Sequence, residues 1–318
     1  MRRNATPPRP GRADPDGVRR RRFGVAGEMV EVPVLESGLY LVATPIGNLR
    51  DITLRALDVL AGADVIACED TRVTRKLLDH YGIATPRTLY HEHNAAQARP
   101  RLLARLADGA AVALVSDAGT PLISDPGYKL VRAAQQAGHA VTPVPGASAL
   151  LAALVASSLP TDRFFFEGFL PAKQAARQSR VGAIAAIPAT LVLFETGPRL
   201  GAALADLAAG LGARPASVCR ELTKLHEEIR IADLVTLAQD YAAAAAPRGE
   251  IVIVIAAPDP EARKADDDDL DAKLSAALRR ASLKDAVSEV ADGTGRPRRA
   301  VYQRALALTK GHDDEASG

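Results

Sequence analysis

Over residues 38–144 the chain alternates short apolar runs with helix-like segments, and this alternation most constrains its fold. The run Leu39–Ala43 is followed by the helix-breaking residues Thr44–Asn48 and then by leucines at helical spacing. The same order recurs after Val65–Cys68 and after Ala111–Val115. Short apolar runs bounded by turn residues are typical of buried strands, and regular strand–helix alternation favours a largely parallel sheet. We therefore predict an α/β fold.

A second series of strands follows an Ala/Leu-rich helix that starts after the turn Pro145–Ser148. The predicted strands are Phe164–Phe166, Leu191–Phe194, Ala216–Cys219 and Ile251–Ile255. Helical segments separate them, so the sequence predicts a second α/β domain. Beyond it, a helix–turn–helix pattern predicts a small helical C-terminal domain.

Composition narrows the class of protein. The 318 residues are roughly twice the usual length of one domain. A hydrophobic fraction of 47% excludes wholesale disorder. The net charge of +2 means that any affinity for nucleic acid must come from local patches. Two cysteines, and the lack of a membrane-length apolar run or an apolar signal core, favour a cytoplasmic protein with no membrane partner.

The pattern predicts six segments. Residues 1–36 contain few apolar side chains before Met29, so we expect a disordered basic tail, with the true start at either Met1 or Met29. The acidic run Asp266–Asp269 predicts a linker. The predicted order is tail 1–36, N-terminal α/β domain 37–146, C-terminal α/β domain 147–259, acidic linker 260–271, helical domain 272–310 and tail 311–318.

Four loops at strand ends are the candidate binding elements, because open α/β sheets bind ligands there. The loop 116–127 is the most informative, with two glycines and two prolines beside Asp117 and Asp125. Gly119 permits close approach of a ligand to the main chain, and Asp117 can accept hydrogen bonds from a ribose or an ammonium group. Both aspartates can equally be turn or cap residues. The chain has no dinucleotide or P-loop phosphate motif.

Several strings, in this order, carry a resemblance to a known family. They are Ala43–Leu49, Cys68–Arg72, Tyr90–Asn94, the loop 117–127, Pro145–Ala149, Gly168–Pro171, Leu191–Pro198 and Arg220–Lys224. Together they resemble the tetrapyrrole methylase superfamily, and within it the branch that methylates the 2′-oxygen of a cytidine in small-subunit ribosomal RNA. The resemblance implies S-adenosylmethionine bound between two α/β domains, a homodimer, and ribosomal RNA or the small subunit as partner.

The resemblance also implies a set of cofactor-binding residues. They are Pro45, Asp117, Gly119, Thr120, Ile123, Ser148, Ala149, Glu195 and Arg220. One string departs from the porphyrin-modifying relatives, which have Gly-Asp-Pro where this chain has Gly119-Thr120-Pro121. The ribosomal branch shares this change, which argues against a tetrapyrrole substrate.

Methyl transfer to a ribose hydroxyl requires a group that takes up or stabilises the hydroxyl proton. We predict His91, Glu92 and Lys224 as catalytic, with His93 and Glu69 as further candidates. The Tyr90–Asn94 string is alternatively a metal-ligating or a structural loop. We otherwise expect no metal.

Contacts to RNA require exposed cations. We predict Arg72, Lys173, Arg177 and Arg180 for this role, although runs of charge are often only solvated faces. Two alternatives to ribosomal RNA methylation remain at this point. They are a tetrapyrrole C-methyltransferase and a non-catalytic RNA-binding assembly factor.

Overall fold

The computed structural model describes residues 21–294 and 298–315, without the side chains of 260–267 and 309–315. Within the predicted tail 1–36, strands β1 (Arg22–Val25) and β2 (Glu28–Glu31) form an antiparallel hairpin. Phe23 is 1% exposed and belongs to an apolar core. The prediction of disorder is therefore wrong for residues 22–31, and residues 1–20 lie outside the described part.

The first α/β domain contains a five-stranded sheet in which every strand pair is parallel. The order across it is β5-β4-β6-β3-β7. Its strands are β3 (Gly38–Val42), β4 (Val65–Cys68), β5 (Arg87–Leu89), β6 (Ala111–Val115) and β7 (Val141–Val144). The central strands β4 and β6 are buried along their whole length, which explains their uninterrupted apolar sequence. The predicted parallel sheet is confirmed.

Helices connect these strands and cover both faces of the sheet. They are α1 (Leu54–Gly62), α2 (Thr71–His80), α3 (Ala95–Ala107) and α4 (Tyr128–Gln136). Side chains capping their N-termini set the starts of two helices: Thr53 for α1 and Asp70 for α2. Just before α1, Asp51 ends a short 3₁₀ turn, Leu49–Asp51.

Helix α5 (Ala149–Ala156) follows, and the second sheet lies beyond it. The sheet order is β11-β10-β12-β9-β8. Its strands are β8 (Phe164–Phe169), β9 (Thr190–Thr196), β10 (Pro215–Arg220), β11 (Glu228–Asp233) and β12 (Glu250–Ile255). Only β8 and β9 are parallel, and the other pairs are antiparallel. The α/β class is thus confirmed, with one parallel and one mixed sheet.

Three helices accompany the second sheet: α6 (Gln174–Ile184), α7 (Gly197–Leu211) and α8 (Leu234–Ala243). One apolar core joins both α/β domains, because Ile46 from the first packs with Leu150 of α5 and with Val192 and Val252 of the second sheet. The loops at the carboxyl ends of β3 and β6 are thereby held beside the second sheet.

Residues from 257 onward belong to a second compact unit. It contains α9 (Pro260–Leu278), α10 (Leu283–Thr294) and α11 (Arg298–Glu315) around its own apolar core. The predicted linker 260–271 is wrong, because that segment is helical from Pro260. Helix α11 also continues into the predicted tail 311–318 as far as Glu315. In the described part of the chain, no helix is long and apolar enough to cross a membrane.

Candidate active site

The loop 116–127 joins β6 to α4 and has an unusual backbone. Gly119, Leu122 and Ser124 adopt positive φ angles of 81°, 74° and 63°. Thr44 anchors the loop, because its N–H donates to the Gly119 carbonyl (2.9 Å) and its own carbonyl accepts from the Gly119 N–H (3.0 Å). Two non-glycine residues at positive φ are energetically costly, and such conformations cluster at functional sites.

This loop forms one wall of a cavity of about 250 Å³, which we call the first cavity. The opposite wall comes from the start of α5 and the facing ends of β9 and β12. Of the residues predicted to bind the cofactor, those lining it are Asp117, Gly119, Thr120, Ile123, Ser148, Ala149 and Glu195. The tertiary structure therefore assembles seven predicted residues from three separate strings.

The N-terminus of α5 faces this cavity. Ser148 caps the helix by accepting a hydrogen bond from the Leu151 N–H at 3.5 Å. The Thr120 hydroxyl donates to the Ala147 carbonyl at 3.3 Å. This hydrogen bond links the loop 116–127 to the segment before α5. The cap and the small side chain of Ala149 leave main-chain atoms close to the cavity.

Glu195 places a buried carboxylate on the opposite wall. Its side chain is 1% exposed, and Oε1 accepts from the Thr196 N–H at 2.7 Å and lies 3.3 Å from Arg199 Nε. Oε2 is buried and has no hydrogen-bond partner among the described residues. Buried polar atoms normally have a partner, so this oxygen fits a ligand that carries a hydrogen-bond donor.

Three carboxylates, Glu69, Asp117 and Asp125, also line the first cavity, and we call them the acidic cluster. Burial, together with the charges of Asp125 and Asp117, raises the pKa of Glu69 to about 7. Burial raises the pKa of Asp125 to about 6 and also raises the pKa of Asp117. The cluster can therefore take up or release protons near neutral pH.

A hydrogen bond between the segments that follow β4 and β6 helps to hold this cluster in place. The Asp117 side chain accepts from the Asp70 N–H at 3.1 Å. Asp117 is thereby tied to the residue directly after Glu69.

A second cavity, of about 420 Å³, adjoins the first. Ile46, Asp117, Ala118 and Glu250 line both cavities and form their shared wall. The residues lining only the second cavity are Thr44, Pro45, Gly47, Leu49, Val73, Thr74, Lys76, Leu77, Ser116 and Lys224. Pro45, predicted to bind the cofactor, therefore lines the second cavity and not the first.

Lys224 reaches the second cavity from the loop after β10. Its ammonium donates to Glu221 Oε1 at 2.7 Å and to Glu250 Oε2 at 3.1 Å. Burial alone would lower the pKa of Lys224, but these two carboxylates raise it. Lys224 is thus a permanent cation at neutral pH and is unsuited to accept a proton.

The other predicted catalytic residues lie elsewhere. His91 lines neither cavity, and its N–H donates to Asn94 Oδ1 at 2.8 Å in the turn before α3. Glu92 lines neither cavity but a further pocket of about 220 Å³, together with Arg99, Tyr128 and Asp125, the last of which also lines the first cavity. In the described part of the chain, no three His, Cys, Asp or Glu side chains are placed to hold a metal ion, so the metal-ligating interpretation of Tyr90–Asn94 has no support.

Arg220 is the remaining residue predicted to bind the cofactor. Its guanidinium donates to Glu228 Oε2 at 3.0 Å and to the Arg248 carbonyl at 3.3 Å, and it lines neither cavity. These contacts join β10 to β11 and to the segment before β12. In this geometry the Arg220 side chain stabilises the second sheet.

The four cations predicted to contact RNA differ in solvent exposure and in their ion pairs. Arg177 is 6% exposed, because its Nε donates to Asp206 at 2.6 Å inside the second domain. It is not a surface cation, so its assignment to RNA is wrong. Arg180 is paired with Glu167, and Arg72 with Asp70. The Arg72 side chain is nevertheless 87% exposed, and Lys173 is exposed as well.

The sequence interpretation missed several lining residues. Ile46, Phe194, Gly249 and Ile251 supply apolar or close-packed walls of the first cavity, and Lys76 supplies a cation to the second. Ile46 and Phe194 lie inside quoted strings, and Ile251 begins a predicted strand. No local motif marks Gly249 or Lys76, and the positive φ of Gly249, 100°, is visible only in the structure.

The fold and this cavity between two α/β domains define a class of methylase. Residues 38–238 match the family model of Tetrapyrrole (Corrin/Porphyrin) Methylases, so the chain belongs to that family. Residues 264–309 match the model of the RsmI C-terminal HTH domain.

Two curated relatives of high sequence identity share one name. A Mesorhizobium japonicum protein named ribosomal RNA small subunit methyltransferase I is 52% identical over 290 residues, covering 89% of this chain and 98% of its own. A Synechocystis protein of the same name is 47% identical over 273 residues, covering 85% and 98%.

Solved structures share the fold at low sequence identity. Cobalt precorrin-4 methyltransferase is 19% identical with a TM-score of 0.53, covering 70% of this chain and 96% of its own. Diphthine synthase is 18% identical with a TM-score of 0.54, covering 69% and 89%. The family and the α/β fold predicted from the sequence are thus confirmed.

Proposed function

We propose that this protein is an S-adenosylmethionine-dependent methyltransferase that methylates the 2′-oxygen of a cytidine ribose in small-subunit (16S) ribosomal RNA. The observation that carries the proposal is the match, over nearly their whole length, to relatives named ribosomal RNA small subunit methyltransferase I. The first cavity supports it, because it joins residues from both α/β domains of a methylase fold.

The residues of the first cavity fit a methyl donor with an amino-acid end and a nucleoside end. Glu195 Oε2 offers an unpartnered acceptor to an ammonium group, and the 117–120 and 148–149 segments offer main-chain atoms and the Asp117 carboxylate. When bound, the donor supplies an electrophilic methyl group on a sulfonium. The acidic cluster complements that positive charge.

The acidic cluster is also the proton acceptor that we propose for the ribose hydroxyl. In the reaction an O–CH₃ bond forms, the S–CH₃ bond breaks, and the hydroxyl proton passes to a carboxylate of the cluster. Glu69 has a pKa of about 7, which suits a general base at neutral pH. Asp117 lines both cavities, so the cluster extends to the shared wall. Because these groups interact, the titration belongs to the cluster and not to one residue.

His91 and Glu92 have no place in this mechanism, because neither lines a cavity of the site. Lys224 remains in it as a cation held by Glu221 and Glu250. Its charge stabilises negative charge in the substrate that approaches the second cavity.

For partners, we propose the small ribosomal subunit or its RNA, a homodimeric assembly and a cytoplasmic location. Arg72 and Lys173 are the predicted RNA contacts with exposed side chains, whereas Arg180 must first release Glu167. Exposed cations of this kind position RNA through its phosphates.

The test is transfer of label from S-adenosylmethionine to 30S subunits purified from cells that lack this protein. Label at a cytidine 2′-oxygen supports the proposal, and label entering uroporphyrinogen instead points to a tetrapyrrole C-methyltransferase. Calorimetry with S-adenosylmethionine tests the other alternative, a non-catalytic RNA-binding assembly factor, because such a protein need not bind the donor.

A further inference from the structure

The second cavity adjoins the first at Ile46, Asp117, Ala118 and Glu250, and of the residues predicted to bind the cofactor it is lined only by Pro45 and Asp117. It is the larger of the two, at about 420 Å³ against about 250 Å³. A volume of this size lies within the roughly 300–1,000 Å³ of small-molecule sites. A molecule placed there would lie next to the donor, at the residues that both cavities share.

The lining of the second cavity combines three kinds of surface. Leu49, Val73 and Leu77 form an apolar side. Lys76 and Lys224 supply positive charge. Acceptors are the carboxylates of Asp117 and Glu250 and the hydroxyl of Thr44.

A ribonucleotide presents the matching three surfaces, which are a flat base, an anionic phosphate and polar edge and sugar groups. Carboxylates accept hydrogen bonds from the amino group of cytosine. Lysine contacts phosphate as a compact point charge. Sequence-specific recognition of RNA commonly uses unstacked bases, and enzymes that modify nucleic acids extrude the target nucleotide into a pocket.

We propose that the second cavity receives the target nucleotide of the RNA, extruded from its strand, with its ribose at the shared wall. This inference rests on the proposed function. Lys76 is the phosphate contact, because its exposed ammonium makes no ion pair within the described part of the chain. Lys224 is held in position by its two carboxylates and adds a second fixed cation.

The first test fills the second cavity with a larger side chain and leaves the lining of the first cavity unchanged. Val73 lies on α2, is 38% exposed and lines only the second cavity, so Val73→Trp places an indole there without creating a buried clash. Asp79→Trp is the matched control, because Asp79 is exposed on the same helix, where it pairs with the exposed Arg75, and it lines neither cavity. We measure label transfer to 30S subunits and, separately, the affinity for S-adenosylmethionine by calorimetry.

We expect Val73→Trp to lower kcat/KM for 30S subunits at least tenfold, with the donor affinity and the Asp79→Trp activity unchanged. Wild-type activity in Val73→Trp would overturn the proposal. Loss of donor affinity would also overturn it, because the second cavity would then belong to the donor. If the wild-type protein labels no 30S RNA, the proposed function itself fails, and this outcome is distinct from the other two.

A second variant tests the same proposal in case Val73→Trp does not fold. Lys76→Gln removes an exposed charge and leaves the fold in place. We expect weaker binding to 30S subunits and a salt dependence whose logarithmic slope is smaller by about one. An unchanged slope would show that Lys76 does not contact phosphate and would overturn that assignment.

Discussion

At the scale of single residues, the site depends on charges whose partners lie far away in the sequence. Glu69 and Asp117 belong to different strand ends, and each has its pKa raised by burial. Arg177 and Asp206 are 29 residues apart in the sequence and form a buried ion pair. A residue's chemical type was therefore a poor guide to its role until its neighbours were known.

The first prediction concerns Glu69. Its deprotonated form is the base, and its pKa is about 7, so the wild-type rate should fall as the pH decreases from 8 to 6. Glu69→Gln should lower kcat by about 10²-fold and flatten that fall, as measured by label transfer across the pH range. Asp79→Asn is the control, because this exposed carboxyl lines neither cavity. A Glu69→Gln protein with the wild-type profile would remove Glu69 from the mechanism.

Thermal unfolding offers an independent check on the same residue. A raised pKa means that the folded protein favours the protonated carboxyl, so the stabilisation by Glu69 is present at acidic pH and is lost as the pH rises through about 7. The melting temperature of Glu69→Gln relative to wild type should therefore be higher at pH 8 than at pH 5.

The second prediction separates a buried cation from an exposed one. Arg177→Gln leaves Asp206 buried without its cation, which should cost about 3–5 kcal/mol in the free energy of unfolding. Lys173→Gln, four residues earlier and exposed, should change stability by no more than about 0.5 kcal/mol but weaken binding to 30S subunits. Urea unfolding and 30S binding assays measure the two effects. Equal stability of both variants would contradict the structural role of Arg177.

At the scale of elements, the site is built from loops that follow strands, and their close approach requires particular residues. Gly47, in the loop after β3, packs directly on the loop after β10. A Cβ there would lie 2.3 Å from Lys224 Cγ and 3.0 Å from the Leu222 carbonyl oxygen. The adjacent Asn48 N–H donates to Thr223 Oγ1 at 3.1 Å across the same contact. The two domains thus meet along one edge of the second cavity.

The third prediction tests this contact. Gly47→Ala should displace the loop from Lys224 and Leu222, lowering kcat/KM for 30S subunits about tenfold with a smaller effect on donor affinity, because Gly47 lines only the second cavity. Label transfer and calorimetry measure the two quantities. The matched control is Gly182→Ala, since a Cβ at Gly182 meets no atom within 4 Å and, as at Gly47, the backbone is not at positive φ. Equal losses in both variants would trace the effect to stability alone.

At the scale of the whole molecule, every residue that lines either cavity precedes residue 257. The helices α9, α10 and α11 belong to a unit with its own apolar core. The linings of both cavities therefore come from the two α/β domains.

The fourth prediction follows from that separation. A chain ending at residue 259 should fold and bind S-adenosylmethionine with the affinity of the full-length protein, because none of the lining residues is removed. Circular dichroism and calorimetry check fold and affinity. Loss of donor binding in a folded truncated protein would show that the helical unit contributes to the site.

The sequence by itself determined the parts of this protein that depend on local patterns. Continuous apolar runs predicted the buried strands β4 and β6, because strands covered on both faces need apolar side chains at every position. The breakers and small residues of the 117–127 and 145–149 strings indicated binding loops, and the structure places both at one cavity.

Only the tertiary structure decided which of the polar residues face a ligand. The strands β5 and β11 escaped prediction because each lies at a sheet edge and carries polar residues. The hairpin at residues 22–31 does carry apolar residues, and Phe23, Val25 and Val30 pack into a core that α1 and its surroundings supply. Burial and pairing depend on neighbours distant in sequence, and for that reason only the structure showed the raised pKa of Glu69, which we propose as a proton acceptor, and the buried ion pair of Arg177.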